Sequence, residues 1–122
     1  MPVPVEMTLD PHHAGDHWEG ADIGPITIDY NDDGVYVAPD YALASARWQF
    51  RPWDDLDTLS KGLATGAEIV IDDADTWELT IAPLILGLTP GKYRWAFETI
   101  DVNGGVLTPY AGFITINPDP VP

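Results

Sequence analysis

The sequence predicts an all-β fold, an antiparallel β-sandwich of roughly seven to nine short strands in one domain over residues 1–122. Two observations predict it. Apolar and polar residues alternate in short runs, the pattern of strands that bury one face. Twelve prolines and eleven glycines, residues that favour turns, punctuate the sequence. Only residues 84–88 could form a helical turn, and that segment is too short to count as a helix.

The clearest alternation occurs in two runs, residues 93–98 and residues 44–51. In each run an apolar side chain recurs at every second position, so one face of the predicted strand is apolar and the other is polar. The apolar positions of the second run begin at Ala44. Four side chains of these two runs and one tryptophan from another segment, Trp77, are predicted to form the core. The five residues are Trp48, Trp77, Tyr93, Trp95 and Phe97.

A hairpin is predicted where Asn103 precedes Gly104, because Asn-Gly favours tight turns with positive φ. The strand that ends at Asp101 should then pair with the segment after Gly105. Residues 52–66 show no clear periodicity and are predicted to form a long loop that carries partner contacts. Further strands are expected at Val5–Leu9, Ile23–Tyr30, Val35–Val37, Glu68–Asp72, Trp77–Ile81, Val106–Thr108 and Gly112–Ile116.

The segment Leu88–Tyr93 resembles the tyrosine corner of immunoglobulin-like domains, in which a tyrosine near the start of a strand bonds back to upstream backbone. Trp95 follows where antibody domains carry a core cysteine, and Trp48 would face it. The immunoglobulin-like form is therefore the predicted kind of sandwich. Pro-rich stretches at about residues 1–6 and 117–122 are predicted to be extended arms, because proline cannot complete a strand ladder.

The chain carries twenty acidic and five basic residues, a formal charge of -15 at pH 7. This charge disfavours nucleic acid, whose binding needs clustered Lys and Arg, and anionic membrane surfaces. No apolar run approaches the roughly 20 residues of a spanning helix, and residues 1–10 lack the pattern of a secretion signal. The chain has no cysteine, so disulfides and thiolate chemistry are excluded. We therefore expect a soluble protein that binds neither nucleic acid nor membrane.

Several segments of the chain together resemble a known group of viral proteins. The segments are Gly15-Asp16-His17-Trp18, Ala46-Arg47-Trp48-Gln49-Phe50-Arg51, Trp77-Glu78-Leu79-Thr80-Ile81 and the stretch from Leu88 to Asp119, above all Gly91-Lys92-Tyr93-Arg94-Trp95-Ala96-Phe97-Glu98. They are similar to small immunoglobulin-like structural proteins of tailed bacteriophages, in particular to the amino-terminal domain of phage baseplate upper proteins. The resemblance covers roughly residues 15–119.

This resemblance implies a non-enzymatic component of a virion, made in the bacterial cytoplasm and assembled on the tail, baseplate or fibre attachment. Its partners would be other virion structural proteins, with many copies in a symmetric particle. Decoration of the phage head is an alternative position. A calcium-dependent carbohydrate-binding module is an alternative function, with exposed Trp53 or Tyr110 stacking on sugar rings.

Arginine and tryptophan residues are the candidate contacts with a partner protein, because both are enriched at interfaces. The candidates are Arg47, Arg51, Arg94 and Trp53. The three arginines lie on the polar faces of predicted strands in an otherwise acidic chain. Cross-strand pairing with Glu98 or another carboxylate is the competing interpretation of the arginines.

One acidic segment nearly matches a calcium-binding loop, since its side-chain oxygens alternate around a glycine bend at Gly34. The ligands would be Asp29, Asn31, Asp33 and Asp40. The final glutamate of the pattern is missing, and the residues on both sides of the loop predict strands instead of helices. A hairpin turn without metal is therefore the preferred interpretation. A second acidic group, Asp72, Asp73 and Asp75, is interpreted as a solvated turn.

The sequence shows no constellation typical of an enzyme. The chain has two serines, Ser45 and Ser60, and neither is flanked by the glycines of a nucleophile elbow. There is also no glycine-rich loop of the kind that holds phosphate groups. With twenty carboxylates in the chain, pairs of acidic residues arise by chance and do not indicate a glycosidase. We therefore expect no catalytic residues.

Overall fold

A computed structural model describes residues 5–26, 28–29, 36–37 and 39–118. These residues form an all-β fold, and none of them belongs to a helix that could span a bilayer. The strands are β1 (Val5–Thr8), β2 (His12–His13), β3 (His17–Trp18), β4 (Ala21–Ile23), β5 (Ile28–Asp29), β6 (Tyr36–Val37), β7 (Leu43–Pro52), β8 (Lys61–Ala64), β9 (Ile69–Asp73), β10 (Glu78–Ile81), β11 (Leu84–Ile85), β12 (Gly91–Asp101) and β13 (Val106–Asn117).

The prediction of seven to nine strands is too low for the described part of the chain. Thirteen strand segments occur there, and five of them, β2, β3, β5, β6 and β11, are only two residues long. Two residues give a single alternation, which is too short to be recognised as a period. Most of the strands predicted from the sequence overlap one of the eight longer strands.

A large sheet has the order β1-β13-β12-β7-β8, and β2 also pairs with β13. The pairings of β12 with β13 and β7, and of β7 with β8, are antiparallel. In contrast, β1 and β2 run parallel to β13, which departs from the purely antiparallel prediction. A second sheet has the order β4-β10-β9, and two small ladders join β11 to β3 and β5 to β6.

Burial alternates along the two central strands as predicted. In β12 the side chains of Tyr93, Trp95 and Phe97 are buried, whereas their neighbours on the other face are only partly covered. In β7 the alternation holds from Ala46 onward, but Ala44 is exposed, so its predicted inward position is wrong. The pairing of β7 with β12 shifts at this end of the ladder, and such a bulge turns the extra residue away from the core.

All five side chains predicted to form the core are buried. They belong to one apolar cluster, which also takes Ile69, Leu79 and Ile81 from the second sheet. The two sheets therefore share a core. Within it, the ring centroids of Trp48 and Trp95 lie 4.6 Å apart. Aromatic contacts of this kind add about 1 kcal/mol each to the stabilisation that burial alone gives.

The predicted hairpin between β12 and β13 is present. Its turn differs in detail from the prediction, because Gly104 has a positive φ of 82° and Asn103 does not. The backbone N–H of Gly104 donates to the carbonyl oxygen of Asp101, and the Asp101 carboxylate accepts from the N–H groups of Asn103 and Gly105. This is a three-residue turn closed by a left-handed glycine, so only one residue needs positive φ.

Three other segments differ from the sequence prediction. The loop expected over residues 52–66 contains β8, whose Leu63 is buried opposite Trp48. The strand expected at Ile23–Tyr30 is interrupted, because β4 ends at Ile23, residues 24–26 belong to no strand, and β5 comprises Ile28–Asp29. The strands expected at 106–108 and 112–116 are one continuous strand, because β13 pairs with β12 across the intervening residues.

The predicted Pro-rich arms are described only where they join the sheet. Val5 and Glu6 belong to β1, where they pair with Tyr110 and Ala111 of β13. At the other end, Asn117 is the last residue of β13. Residues 1–4 and 119–122 lie outside the described residues.

The tyrosine corner has the predicted hydrogen bond. The hydroxyl group of Tyr93 donates to the backbone carbonyl of Thr89, with 2.6 Å between the oxygens, and the Thr89 hydroxyl lies 3.0 Å away. The Tyr93 side chain is 5% exposed. This bond ties the loop before β12 to the start of the strand.

Replacing Tyr93 with phenylalanine is expected to lower the free energy of unfolding by about 1 kcal/mol, because the hydroxyl group loses its bond to Thr89. Urea unfolding measures the change. Tyr41→Phe is the matched control, since the Tyr41 side chain is 49% exposed. It should change the free energy by less than about 0.5 kcal/mol. Equal effects in both variants would show that the corner does not stabilise the fold.

Candidate partner-binding face

Four of the five basic residues of the chain lie on the outer face of the large sheet. They are Arg47 and Arg51 on β7 and Lys92 and Arg94 on β12. We call this surface the cationic face and include in it the aromatic residues Phe113 and Trp53. It therefore brings together all four residues predicted to contact a partner. Lys61 on β8 is the fifth basic residue and pairs with Phe50, whose side chain points into the core.

The register of the central strands assembles this face. Opposite Phe97 lies Trp48, and both point inward, so the residues beside them must point outward. One step along the ladder Arg47 lies opposite Glu98, and towards the other end Arg94 lies opposite Arg51. The cationic face and the aromatic core are therefore opposite faces of the same strands, and the same alternation of side chains produces both.

Two of the arginines form ion pairs, as the competing interpretation predicted. The Arg47 guanidinium lies 2.6 Å from a carboxylate oxygen of Glu98, measured from Nη2 to Oε1, and its Nε donates to the same oxygen. Arg94 lies 3.2 Å from Glu6 of β1. One side chain of each pair is more than half exposed, Arg47 at 51% and Glu6 at 62%, and their partners Glu98 and Arg94 are 25% and 35% exposed, so both pairs reach solvent. Exposed pairs of this kind contribute little to stability, so a partner's carboxylate can replace them at small cost.

Arg51 differs from the other two arginines. Among the residues that the structure describes, no carboxylate lies within ion-pair distance of its guanidinium. Its Nη2 donates instead to the side-chain oxygen of Gln49, at 3.2 Å. The residue directly across the ladder is Arg94, a like charge. Like charges at opposed positions destabilise a strand pair, and an anion placed between them would remove that repulsion.

Aromatic rings support the cations at the end of this face. The Lys92 ammonium lies 4.6 Å from the ring centroid of Phe113 and 5.4 Å from that of Trp53, and the Arg94 guanidinium lies 5.0 Å from Phe113. Trp53 is 56% exposed. Cations over aromatic rings are held without being neutralised, so they stay available to an anionic group.

Sequence reasoning overlooked Lys92 as a member of this face. Its position could have been predicted, since it precedes Tyr93 in the alternating run and therefore points away from the core. The role of Phe113 could not have been predicted from β13 alone. Phe113 shares the outer face with Arg94 because these two residues are opposed in the register of β12 with β13.

The predicted calcium ligands are only partly described. Asn31 and Asp33 lie outside the described residues, Asp29 is the second residue of β5, and Asp40 is exposed in a bend. Among the residues that the structure does describe, no three His, Asp or Glu side chains converge as a metal site would require.

The second acidic group forms a turn that uses its own carboxylates. Asp73 accepts hydrogen bonds from the backbone N–H groups of Asp75 and Thr76, at 2.9 and 3.3 Å. Asp72 accepts a hydrogen bond from the hydroxyl group of Thr80. These bonds fix the turn between β9 and β10, which is the role that the sequence interpretation gave to the group.

A double-mutant cycle with Arg47→Ala and Glu98→Ala is expected to give a coupling free energy of about 0.2–1 kcal/mol, because the Arg47 side chain is 51% exposed and water screens the pair. Urea unfolding of the two single variants and the double variant measures it, and added salt should reduce it. A coupling above about 2 kcal/mol would make this pair part of the fold and remove Arg47 from the surface available to a partner.

The sequence matches no protein-family model, and no curated protein matches it with significance. The phage resemblance found in the sequence therefore stays a prediction.

Proposed function

We propose that this chain is a non-enzymatic docking module that binds an acidic surface of a neighbouring structural protein through its cationic face. The observation that carries the proposal is the opposition of Arg51 and Arg94 across the central ladder, with Lys92 beside them. In a chain with twenty acidic residues, four of the five basic ones share one face. Charge complementarity selects an acidic partner for such a face and steers its approach.

The composition of the face also suits a protein interface. Arginine and aromatic side chains are enriched at the centres of interfaces, where they supply most of the binding energy. Arg51 and Arg94 can each present two parallel N–H groups to a carboxylate, and Trp53 and Phe113 supply apolar area beside them. The surrounding acidic surface would repel other copies of the chain in solution, which keeps unbound copies apart.

An immunoglobulin-like sandwich is the form of the fold that we propose. In such domains a sheet containing strands G, F and C packs on a sheet containing B, E and D. The order here is similar, with β13, β12 and β7 adjacent in the large sheet and β4, β10 and β9 in the second. The hydrogen bond from Tyr93 to Thr89 near the start of β12 corresponds to the tyrosine corner of strand F.

The particle that we propose for this module is the virion of a tailed phage. The support is the sequence resemblance to baseplate upper proteins, which also favours the tail or baseplate over the head as its position. A module that works by docking needs no catalytic site, and a virion repeats such a contact in many symmetric copies. The partner would be another virion protein with an acidic surface.

Replacing Arg51 with glutamate is expected to weaken docking at least about tenfold, because a carboxylate would then face the acidic partner. A tagged chain produced in host cells during infection is quantified in purified particles by mass spectrometry. Lys61→Glu is the matched control, with the same change of charge at the one basic residue outside the cationic face. It should alter incorporation by less than about twofold.

Two results would contradict the proposal in different ways. If Arg51→Glu is incorporated as well as the unaltered chain, then the cationic face is not the docking surface. If the unaltered chain is absent from purified particles, then the virion assignment is wrong, whatever the face binds. Thermal unfolding of both variants separates a lost contact from a lost fold.

A further inference from the structure

The second sheet, β4-β10-β9, turns its outer face away from the cationic face. Leu79 and Ile81 of β10 and Ile69 of β9 are buried in the core that both sheets share. Side chains alternate along a strand, so the residues between these buried ones point outward. Because each sheet buries one face in the same core, the outer faces of the two sheets lie on different sides of the molecule.

The outward residues of the second sheet are mostly acidic. Asp22 of β4 and Val70 of β9 lie on either side of Thr80 in the ladder, and Thr80 points outward. Asp72 follows Val70 by two positions and Glu78 precedes Thr80 by two, so both share this side. We call Asp22, Asp72 and Glu78 the acidic face. The strands β4, β9 and β10 contain no lysine or arginine.

Hydroxyl groups hold two of these carboxylates without neutralising them. Thr80 donates a hydrogen bond to Asp72, and Thr76 donates one to Glu78, at 2.6 Å. Among the residues that the structure describes, no basic side chain lies within ion-pair distance of the acidic face. The negative charge of this surface is therefore uncompensated by the chain itself, as the positive charge of Arg51 is on the cationic face.

Each of the two faces also has a large exposed apolar side chain. Val70 is 54% exposed on the acidic face, and Trp53 is 56% exposed on the cationic face. Protein interfaces combine apolar contacts with polar pairs, so exposed apolar area beside charge suits an interface. The two faces are thus complementary in charge, and both provide apolar area.

We propose that the acidic partner of the cationic face is a second copy of this chain, which docks through its acidic face. The inference rests on the proposed function, in which the cationic face is the docking surface. A contact between two different faces is head to tail, so every added copy leaves one face of each sign free. Such contacts close into a ring or continue as a filament.

The net charge of -15 regulates this contact through salt. Repulsion between whole copies acts at long range and dominates at low ionic strength. At about 0.15 M salt the Debye length is about 8 Å, so this repulsion is screened more than the attraction between charges that touch. At about 1 M salt the Debye length is about 3 Å, and the attraction is weakened too. Association should therefore rise and then fall as salt is added.

Sedimentation velocity of the purified full chain tests the proposal. The chain is measured up to about 1 mM, because weak contacts have dissociation constants in this range. At about 0.15 M salt we expect species larger than a dimer that grow with concentration. Arg51→Glu should weaken association at least about tenfold. Lys61→Glu makes the same change of charge away from the cationic face and should alter it by less than about twofold.

A matched pair of triple variants tests the acidic face. The first neutralises all three of its carboxylates and should weaken association about fivefold or more. Its substitutions are Asp22→Asn, Asp72→Asn and Glu78→Gln. The control neutralises three exposed carboxylates outside the strands, which changes the net charge equally, and should not weaken association more than about twofold. Its substitutions are Asp16→Asn, Glu19→Gln and Asp40→Asn. Near-ultraviolet circular dichroism reports whether all variants keep their aromatic packing.

Mixing the two weakened variants tests the head-to-tail arrangement. The Arg51→Glu variant keeps its acidic face, and the variant with a neutralised acidic face keeps its cationic face. In a 1:1 mixture one intact face of each sign remains available. We therefore expect a pair of copies that grows no further, whereas the unaltered chain forms longer species.

Loss of association in both face variants but in neither control, together with the mixed pair, supports the proposal. It is overturned if the unaltered chain stays monomeric at every salt concentration, if neutralising the acidic face has no effect, or if association persists undiminished at about 1 M salt. A monomeric chain whose Arg51→Glu variant is still lost from particles would mean that the cationic face docks on a different protein. If that variant is incorporated normally, the docking proposal itself is wrong.

Discussion

Trp48 and Trp95 lie side by side at the centre of the molecule because the register of β7 with β12 places Trp48 opposite Phe97 and Phe50 opposite Trp95. Since side chains alternate along a strand, this register fixes both surfaces of the large sheet at once. A slip of one residue would turn one of the two strands over relative to the other. Either Arg47 or Arg94 would then enter the core and the tryptophan of that strand would be exposed, at a cost of several kcal/mol for the buried charge. Because one face of each strand is apolar and the other is charged, only one register between β7 and β12 is favourable. The core and the cationic face both depend on that register.

The distribution of charge has a cost as well as a use. A net charge of -15 opposes a compact state through self-repulsion, and neither disulfides nor cysteine-bound metals are available to a chain without cysteine. Aromatic burial has to compensate for this repulsion, and Phe50, Trp77, Trp95 and Phe97 are at most 1% exposed.

Sequence reasoning predicted the parts of this structure that depend on local pattern. The alternation in β12, the hairpin after Asp101 and the hydrogen bond of Tyr93 all follow from residues close together in the chain. The parts that it missed depend on pairing between distant segments. The bulge at Ala44 depends on the pairing of β7 with β12, and the strand β8 depends on its pairing with β7. The contact between Trp18 and Trp48 joins β3 to β7, and no sequence period connects these two residues.

The parallel pairing of β1 with β13 has a mechanical consequence. Val5 lies beside Tyr110 and Thr8 beside Phe113, so the two strands run in the same direction. A force that pulls the amino-terminal end of β1 and the carboxyl-terminal end of β13 in opposite directions would slide one strand along the other. All the hydrogen bonds between the two strands would then carry the force together. Strands that are peeled apart lose such bonds one at a time and yield at lower force. This geometry would let the domain transmit tension between its two ends while its core stays closed.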